Sequence, residues 1–246
     1  MRLFDDFYAY LWPGATMAEM QIYGNNCNSY VIANALAGKK HVIVDPGAVV
    51  NEARQNCLNR LSSEMEKDEL MIEDIGLTII THGHLDHYGA AEEIKKRSGS
   101  LITMSKEEGD FYQTTGKQMF KVLETMGLDV PEINPDFHIK EGELRLGEKV
   151  ARILLTPGHS PGHVGIYWPA EKVYMAGDLI FCGSTGRVDF PDGSARLLKE
   201  SIERVVQLDI EYLLTGHQYG SPGIIEGREQ IKSNFEFIRR NVFPYL

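Results

Sequence analysis

The sequence predicts an α/β fold in which sheet layers are covered by helices. Short β-branched runs alternate with amphipathic stretches of helical period through most of the chain, with hairpin-like strand pairs in places. No Pro/Gly/Ser-rich linker and no tandem repeat interrupts that alternation, so residues 1–246 are expected to form a single domain. A hydrophobic content of 43% with 24% charged residues suits a globular chain with a buried core.

The elements follow in order. The first 38 residues read as short strands with turns, clearest at 28–33 (NSYVIA). A β run at 41–44 stops at Asp45, Pro46 and Gly47. Helical periodicity covers 52–66 and 90–97, with a short strand at 101–104. Residues 106–128 read as helix broken near Gly116. Strands are expected at 150–155, 164–168, 172–175 and 211–214, and amphipathic helices at 197–207 and 226–242.

The formal net charge of −10 disfavours a phosphate backbone as partner, so no nucleic acid is expected. Cys27, Cys57 and Cys182 are odd in number and stand in no ligand spacing, which predicts thiols in a reducing compartment. The opening MRLFDDFYAYLWPG carries acids early and does not read as a secretion signal. No run of 18 apolar residues occurs, so no membrane span is expected and the cytoplasm is the expected location.

The chemistry is concentrated in THGHLDH, which places His82, His84, Asp86 and His87 directly after an apolar β run. Imidazole and carboxylate suit zinc and its first-row neighbours. The same local grammar recurs along the chain, where an apolar run stops at a turn residue and a ligand-type side chain follows. VIVDPG presents Asp45, ILLTPGH presents His159, VYMAGD presents Asp178 and YLLTGH presents His217. Ligands in such folds gather at strand ends, where the loops meet. His82, His84 and His159 could hold one ion. Asp86, His87 and His217 could hold a second, with Asp178 as the bridge. Three or four protein ligands per ion leave a position open for water, as in catalytic sites. His41 is expected to be structural and His138 exposed, while His163, at the start of the next strand, could line the pocket but is not expected to be a ligand.

These residues, in this order, resemble the metallo-β-lactamase fold superfamily through the HxHxDH signature and the downstream His, Asp and His. The resemblance implies a four-layer αββα sandwich with a dinuclear site at one edge. It also implies that Asp45 supports the loop carrying the His cluster by hydrogen bonds rather than binding metal itself. The segment at 183–194, GSTGRVDFPDGS, is most similar to glyoxalase II-like hydrolases, whereas the similar lactonases place a Tyr where Phe181 stands. About 30 residues follow His217, too few for the C-terminal helical domain that grips glutathione in true glyoxalase II.

The implied function is a dinuclear metal-dependent hydrolase of a thioester, lactone or other ester, working by a metal-activated hydroxide. Two zinc ions are the expected cofactors, with iron or manganese also suiting the ligands. Asp86 is the expected catalytic residue as well as a ligand. Arg187 could hold a substrate carboxylate or brace Asp189. Tyr219 could donate a proton near substrate or simply pack. The stretch 106–128, with Phe111, Tyr112, Met119, Phe120 and Met126, either covers the cavity or faces the core. The alternatives are an iron-dependent oxidoreductase such as a persulfide dioxygenase, and a non-catalytic scaffold. The expected partner is a small-molecule substrate, with no membrane partner and a homodimer left open.

Overall fold

The computed structural model describes residues 1–125 and 127–246; Met126, named above, lies outside the described residues. The first sheet is built, neighbour by neighbour, from β1 (Arg2–Phe4), β2 (Phe7–Tyr10), β3 (Ser29–Leu36), β4 (Lys40–Val44), β5 (Ile75–Ile79), β6 (Leu101–Ser105) and β7 (Phe137–Ile139). Its first four strands are joined antiparallel, and β4 to β7 run parallel. The second sheet contains β8 (Gly142–Leu146), β9 (Lys149–Leu155), β10 (Val164–Trp168) and β11 (Val173–Met175). After a small ribbon of β12 (Ile180–Phe181) and β13 (Ser184–Thr185), it is completed by β14 (Tyr212–Leu214) beside β11 and by β15 (Ile224–Glu226) at the edge.

Strand side chains alternate between two layers, as the pleat requires. Val42, Val44, Ile153, Ile166, Trp168, Val173 and Met175 meet in the core between the sheets. Their neighbours Ile43, Leu154, Tyr167 and Tyr174 face the helices. Both faces of each sheet are therefore apolar, which explains the nearly continuous hydrophobic runs of β4, β10 and β11. Each fully buried large apolar side chain in these layers contributes about 1.5–3 kcal/mol.

The helices are α1 (Met17–Tyr23), α2 (Cys57–Lys67), α3 (Leu85–Tyr88), α4 (Ala91–Ser98), α5 (Lys106–Phe111), α6 (Lys117–Thr125), α7 (Ala195–Val205) and α8 (Arg228–Asn241). Leu58, Leu61 and Met65 of α2 and Ile94 of α4 cover the first sheet. Leu198, Ile202 and Val205 of α7, with Ile231, Phe235 and Ile238 of α8, cover the second. The result is the αββα sandwich.

Three local expectations need correction. The helix expected at 52–66 starts only at Cys57, because Asn56 caps it through its side chain, accepting from Asn59 N at 2.9 Å. The opening segment, read as strands and turns, contains α1. Its signal is the pair Thr16 and Glu19, which close a capping box over the first turn. The break expected near Gly116 is a five-residue π-helical turn over Tyr112–Gly116, joining α5 to α6. Among the described residues no helix is long and apolar enough to cross a membrane.

Candidate metal centre

Topology brings the ligand-bearing strand ends to one edge of the sandwich. Strands β4 and β5 are parallel neighbours, so Asp45 and the 80–87 loop leave the first sheet side by side. Strands β11 and β14 are also parallel, and β9 shares their direction through antiparallel β10. Val164 N donates to Thr81 O at 2.9 Å and Asn28 N to Gly216 O at 2.7 Å, stitching the two sets of loops together. Gly216 has to lack a side chain, since a Cβ there would lie 2.2 Å from Asp178 Oδ1.

Hydrogen bonds to the far side of each imidazole fix which nitrogen faces inward. Asp45 Oδ1 accepts from Thr81 N at 2.8 Å, and its Oδ2 accepts from Thr81 Oγ1 at 2.6 Å and His87 Nδ1 at 2.8 Å. Because the Thr81 hydroxyl donates to Asp45, it accepts from His82 Nδ1 at 3.0 Å. His159 Nδ1 donates to Arg187 O at 2.7 Å, and His217 Nδ1 donates to Asn26 O at 3.0 Å. The Nε2 lone pairs of His82, His87, His159 and His217 are thereby turned to the centre, where His84 presents Nδ1.

These inward atoms converge. His84 Nδ1 lies 3.0 Å from His82 Nε2 and 2.9 Å from His159 Nε2, while His87 Nε2 and His217 Nε2 are 3.1 Å apart. Asp178 sits between the two sets. Its Oδ2 is 3.5 Å from His159 Nε2, and its Oδ1 is 3.3 Å from His87 Nε2 and 3.5 Å from His217 Nε2. Asp86 Oδ2 lies 3.3 Å from His217 Nε2 and accepts from Asn25 Nδ2 at 2.6 Å. The ligand atoms group as His82–His84–His159, His82–His87–Asp178 and Asp86–His87–His217, each set lying within 4.8 Å. The seven residues expected as ligands are thus brought together.

The donor set fits metal ions. Lone pairs aimed at one another across about 3 Å repel unless a cation or proton lies between them. Asp178 Oδ1 is buried and has no hydrogen-bond partner among the described residues, a costly arrangement for a carboxylate oxygen in a protein interior. Burial, then the neighbouring imidazoles, hold His82 well below its ordinary pKa, and burial with His159 brings His84 down to about 3. Neutral imidazole is the form that binds metal. Burial pushes the Asp178 carboxyl up, but His217 and His87 outweigh it and keep the group ionised. His87 also resists its burial, because Asp178 and Asp45 raise its pKa, which shows where negative field is concentrated. The arrangement suits a dinuclear metal site.

Two positioning residues escaped the sequence reading. Glu108 of α5 is buried and reaches both ligand loops. Its Oε1 accepts from Gly83 N at 2.7 Å, and its Oε2 accepts from Ser160 Oγ at 2.8 Å and Gly162 N at 2.9 Å. His163, expected to line the pocket at most, accepts from Asp178 N at Nε2 (3.1 Å) and donates from Nδ1 to Thr156 Oγ1 at 2.8 Å. It therefore fixes the backbone from which Asp178 projects. His41 is buried at the start of β4, where its Nδ1 accepts from Asn34 N.

A cavity of about 670 Å³ opens onto His84, Asp86, His159 and Asp178. Arg187 and Tyr219 line it. The Arg187 guanidinium binds Asp189 with both arms, at 2.9 and 2.6 Å, and lies 4.6 Å from the Phe190 ring centre. Of its two sequence readings, the brace with Asp189 is the contact present. The Tyr219 ring stacks on His217 at 4.5 Å, and its hydroxyl donates to Asn25 Oδ1 at 3.4 Å. The two readings of 106–128 both hold in part: Phe111 and Tyr112 are buried, Phe120 is buried in the core and also borders the cavity, and Met119 lines the cavity.

Comparison with known proteins gives a consistent picture. The model of the Metallo-beta-lactamase superfamily matches residues 22–217. The hydroxyacylglutathione hydrolase GloC of Haemophilus influenzae is 36% identical over 168 residues, covering 67% of this chain and 72% of that protein. The crystal structure of the metallo-beta-lactamase family protein TTHA1429 from Thermus thermophilus superimposes with a TM-score of 0.70 at 23% identity, over 94% of this chain and 79% of the other. The crystal structure of TTHA1623 in a di-iron-bound form gives a TM-score of 0.65 at 26% identity, over 89% and 95% of the two chains.

Proposed function

This chain belongs to the metallo-beta-lactamase superfamily, and on that premise we propose that it is a dinuclear metal-dependent hydrolase of a thioester, lactone or other ester. The observation that carries the reading is Asp178, whose two oxygens face two separate histidine groups on the floor of one open cavity. His82, His84 and His159 would hold one ion and Asp86, His87 and His217 the other, with zinc the favoured metal.

When bound, a pair of divalent cations supplies Lewis acidity, acidifying water and stabilising negative charge on an acyl oxygen. The protein's own groups do the rest. Asp86, tethered by Asn25 and open to the cavity, orients water as a hydrogen-bond acceptor. Asp45, Thr81 and the Asn26 and Arg187 carbonyls hold the imidazoles in one tautomer, so no reorganisation is needed during the reaction. The Tyr219 hydroxyl, at the cavity wall beside His217, donates a proton to an alkoxide leaving group; a thiolate departs without that help.

The GloC relationship supports the thioester branch, and the di-iron form of TTHA1623 supports testing iron alongside zinc. The test strips the protein with a chelator, reloads it with zinc, manganese or iron(II), and assays thioesters, lactones and phosphodiesters. Hydrolysis that disappears on stripping and returns with two equivalents of zinc supports the proposal. One iron per chain with oxygen uptake on glutathione persulfide would replace it with the oxidoreductase reading.

A further inference from the structure

The cavity is chemically two-sided at the ligand cluster. Two phenyl rings flank the His82–His84–His159 group. Phe120 stands edge-on 6.0 Å from His84, and Phe190 lies 5.0 Å from His84 and 6.0 Å from His159. The Asp86–His87–His217 group has one phenyl ring near it, Phe181 at 6.1 Å from His217, and is otherwise flanked by Tyr219 and Asn25, which carry polar tips. The apolar side continues along α6. Met119, Val122 and Leu123 share one helix face by their three- and four-residue spacing, and all three line the cavity. That face is incompletely used by the core. Phe120 is the buried side chain of α6, and Val122 is 59% exposed. Met119 and Leu123 pack partly on the core cluster of Tyr88, Tyr112 and Phe120 and also border the cavity, so this apolar helix face is shared between the core and an open cavity beside the ligand cluster, where it can meet a ligand.

We propose that α6 and Phe190 form an acyl-binding wall, so that the substrate is an ester or thioester of an aliphatic acyl group of four or more carbons. This rests on the hydrolase reading and sharpens it. The acyl chain lies on the Phe120 and Phe190 side, and the polar leaving group lies on the Tyr219 and Asn25 side. The Arg187 guanidinium, already paired with Asp189, is not available as an unpaired cation for an anionic acyl group.

The test uses the metal-loaded protein and N-acetylcysteamine thioesters of acetyl, butanoyl, hexanoyl and octanoyl groups, with S-lactoylglutathione as the polar comparison. The wall predicts kcat/KM rising about threefold per added methylene up to hexanoyl, as expected for CH₂ groups leaving water, and carried mainly by KM. Val122→Asn and Met119→Gln, both at incompletely buried positions, should flatten that series. Calorimetric titration with S-hexyl and S-ethyl N-acetylcysteamine thioethers reads the wall without turnover, and the hexyl compound should bind at least about tenfold tighter. Hydrolysis of acetyl and hexanoyl thioesters at equal kcat/KM would overturn the wall while leaving the hydrolase intact. Absence of all hydrolysis would overturn the hydrolase, and the thioether titration would still decide whether the wall binds alkyl groups.

Discussion

Gly83 N donates to Glu108 Oε1 at 2.7 Å, so a buried carboxylate from α5 sits beneath the turn that separates His82 from His84. Its other oxygen takes Ser160 Oγ and Gly162 N, beside His159. One side chain therefore sets the spacing of the two turns that carry His82, His84 and His159. Glu108→Gln places an amide NH₂ opposite protein donors at one end or the other. Loss of such supporting groups typically weakens metal binding by about 10- to 100-fold. Chelator competition should show that loss with far-UV circular dichroism unchanged; a lower Tm at unaltered metal affinity would reduce Glu108 to a general packing role.

Asp45 acts directly on the other ligand group through His87 and reaches His82 only at one remove, through the Thr81 hydroxyl. It collects three hydrogen bonds while buried, from Thr81 N, Thr81 Oγ1 and His87 Nδ1. Asp45→Asn keeps the shape but cannot accept all three, and frees His87 to change tautomer. The ion at Asp86, His87 and His217 should then weaken by about 10-fold or more while the ion at His82, His84 and His159 is held. Stepwise zinc titration should change from two tight equivalents to one tight and one weak. Loss of both together would show that Asp45 acts on the whole loop.

How far the site could be read from sequence follows from how its residues are connected. The ligand strand ends were legible because each combines an apolar run, a turn residue and a His or Asp within one window. The layers were legible because β4, β10 and β11 are apolar on both faces. Glu108 was not legible: its partners Gly83 and Ser160 lie 25 and 52 positions away, and nothing local distinguishes it from neighbouring Glu107. His163 was set aside for the same reason, since its role depends on the Asp178 backbone across the second sheet. The α1 signal was local, in Thr16 and Glu19, and was masked by the aromatic residues before it.

The Arg187–Asp189 pair is exposed, with side chains 66% and 64% accessible, so solvent screening leaves it little effect on stability. Asp189→Asn is expected to leave Tm nearly unchanged. It also frees the guanidinium, so KM for a carboxylate-bearing thioester should fall while KM for a neutral one stays level. An unchanged KM for both would remove Arg187 from substrate contact, leaving its carbonyl on His159 as its contribution to the site.

His41 gives a pH dependence away from the cluster. Its Nδ1 accepts from Asn34 N at 3.1 Å, which requires a neutral ring, and burial lowers its pKa. The unfolded chain takes up a proton near pH 6.5, about the ordinary imidazole value, before the folded chain does. Its effect on stability is therefore flat above that pH, and stability falls as pH drops from there toward the folded pKa. His41→Leu should lower stability at pH 7, by losing a hydrogen bond, yet show a shallower decline between pH 7 and 5. Urea midpoints at both pH values decide it; parallel slopes for the two proteins would mean that His41 does not titrate between them.

The central claim is that two cations share Asp178, and anomalous X-ray diffraction at the zinc edge tests it most directly on crystals of zinc-loaded protein. The account predicts two peaks, one bonded by His82, His84 and His159 and the other by Asp86, His87 and His217, each touching one oxygen of Asp178. A single peak, or peaks that leave Asp178 unbound, would contradict it.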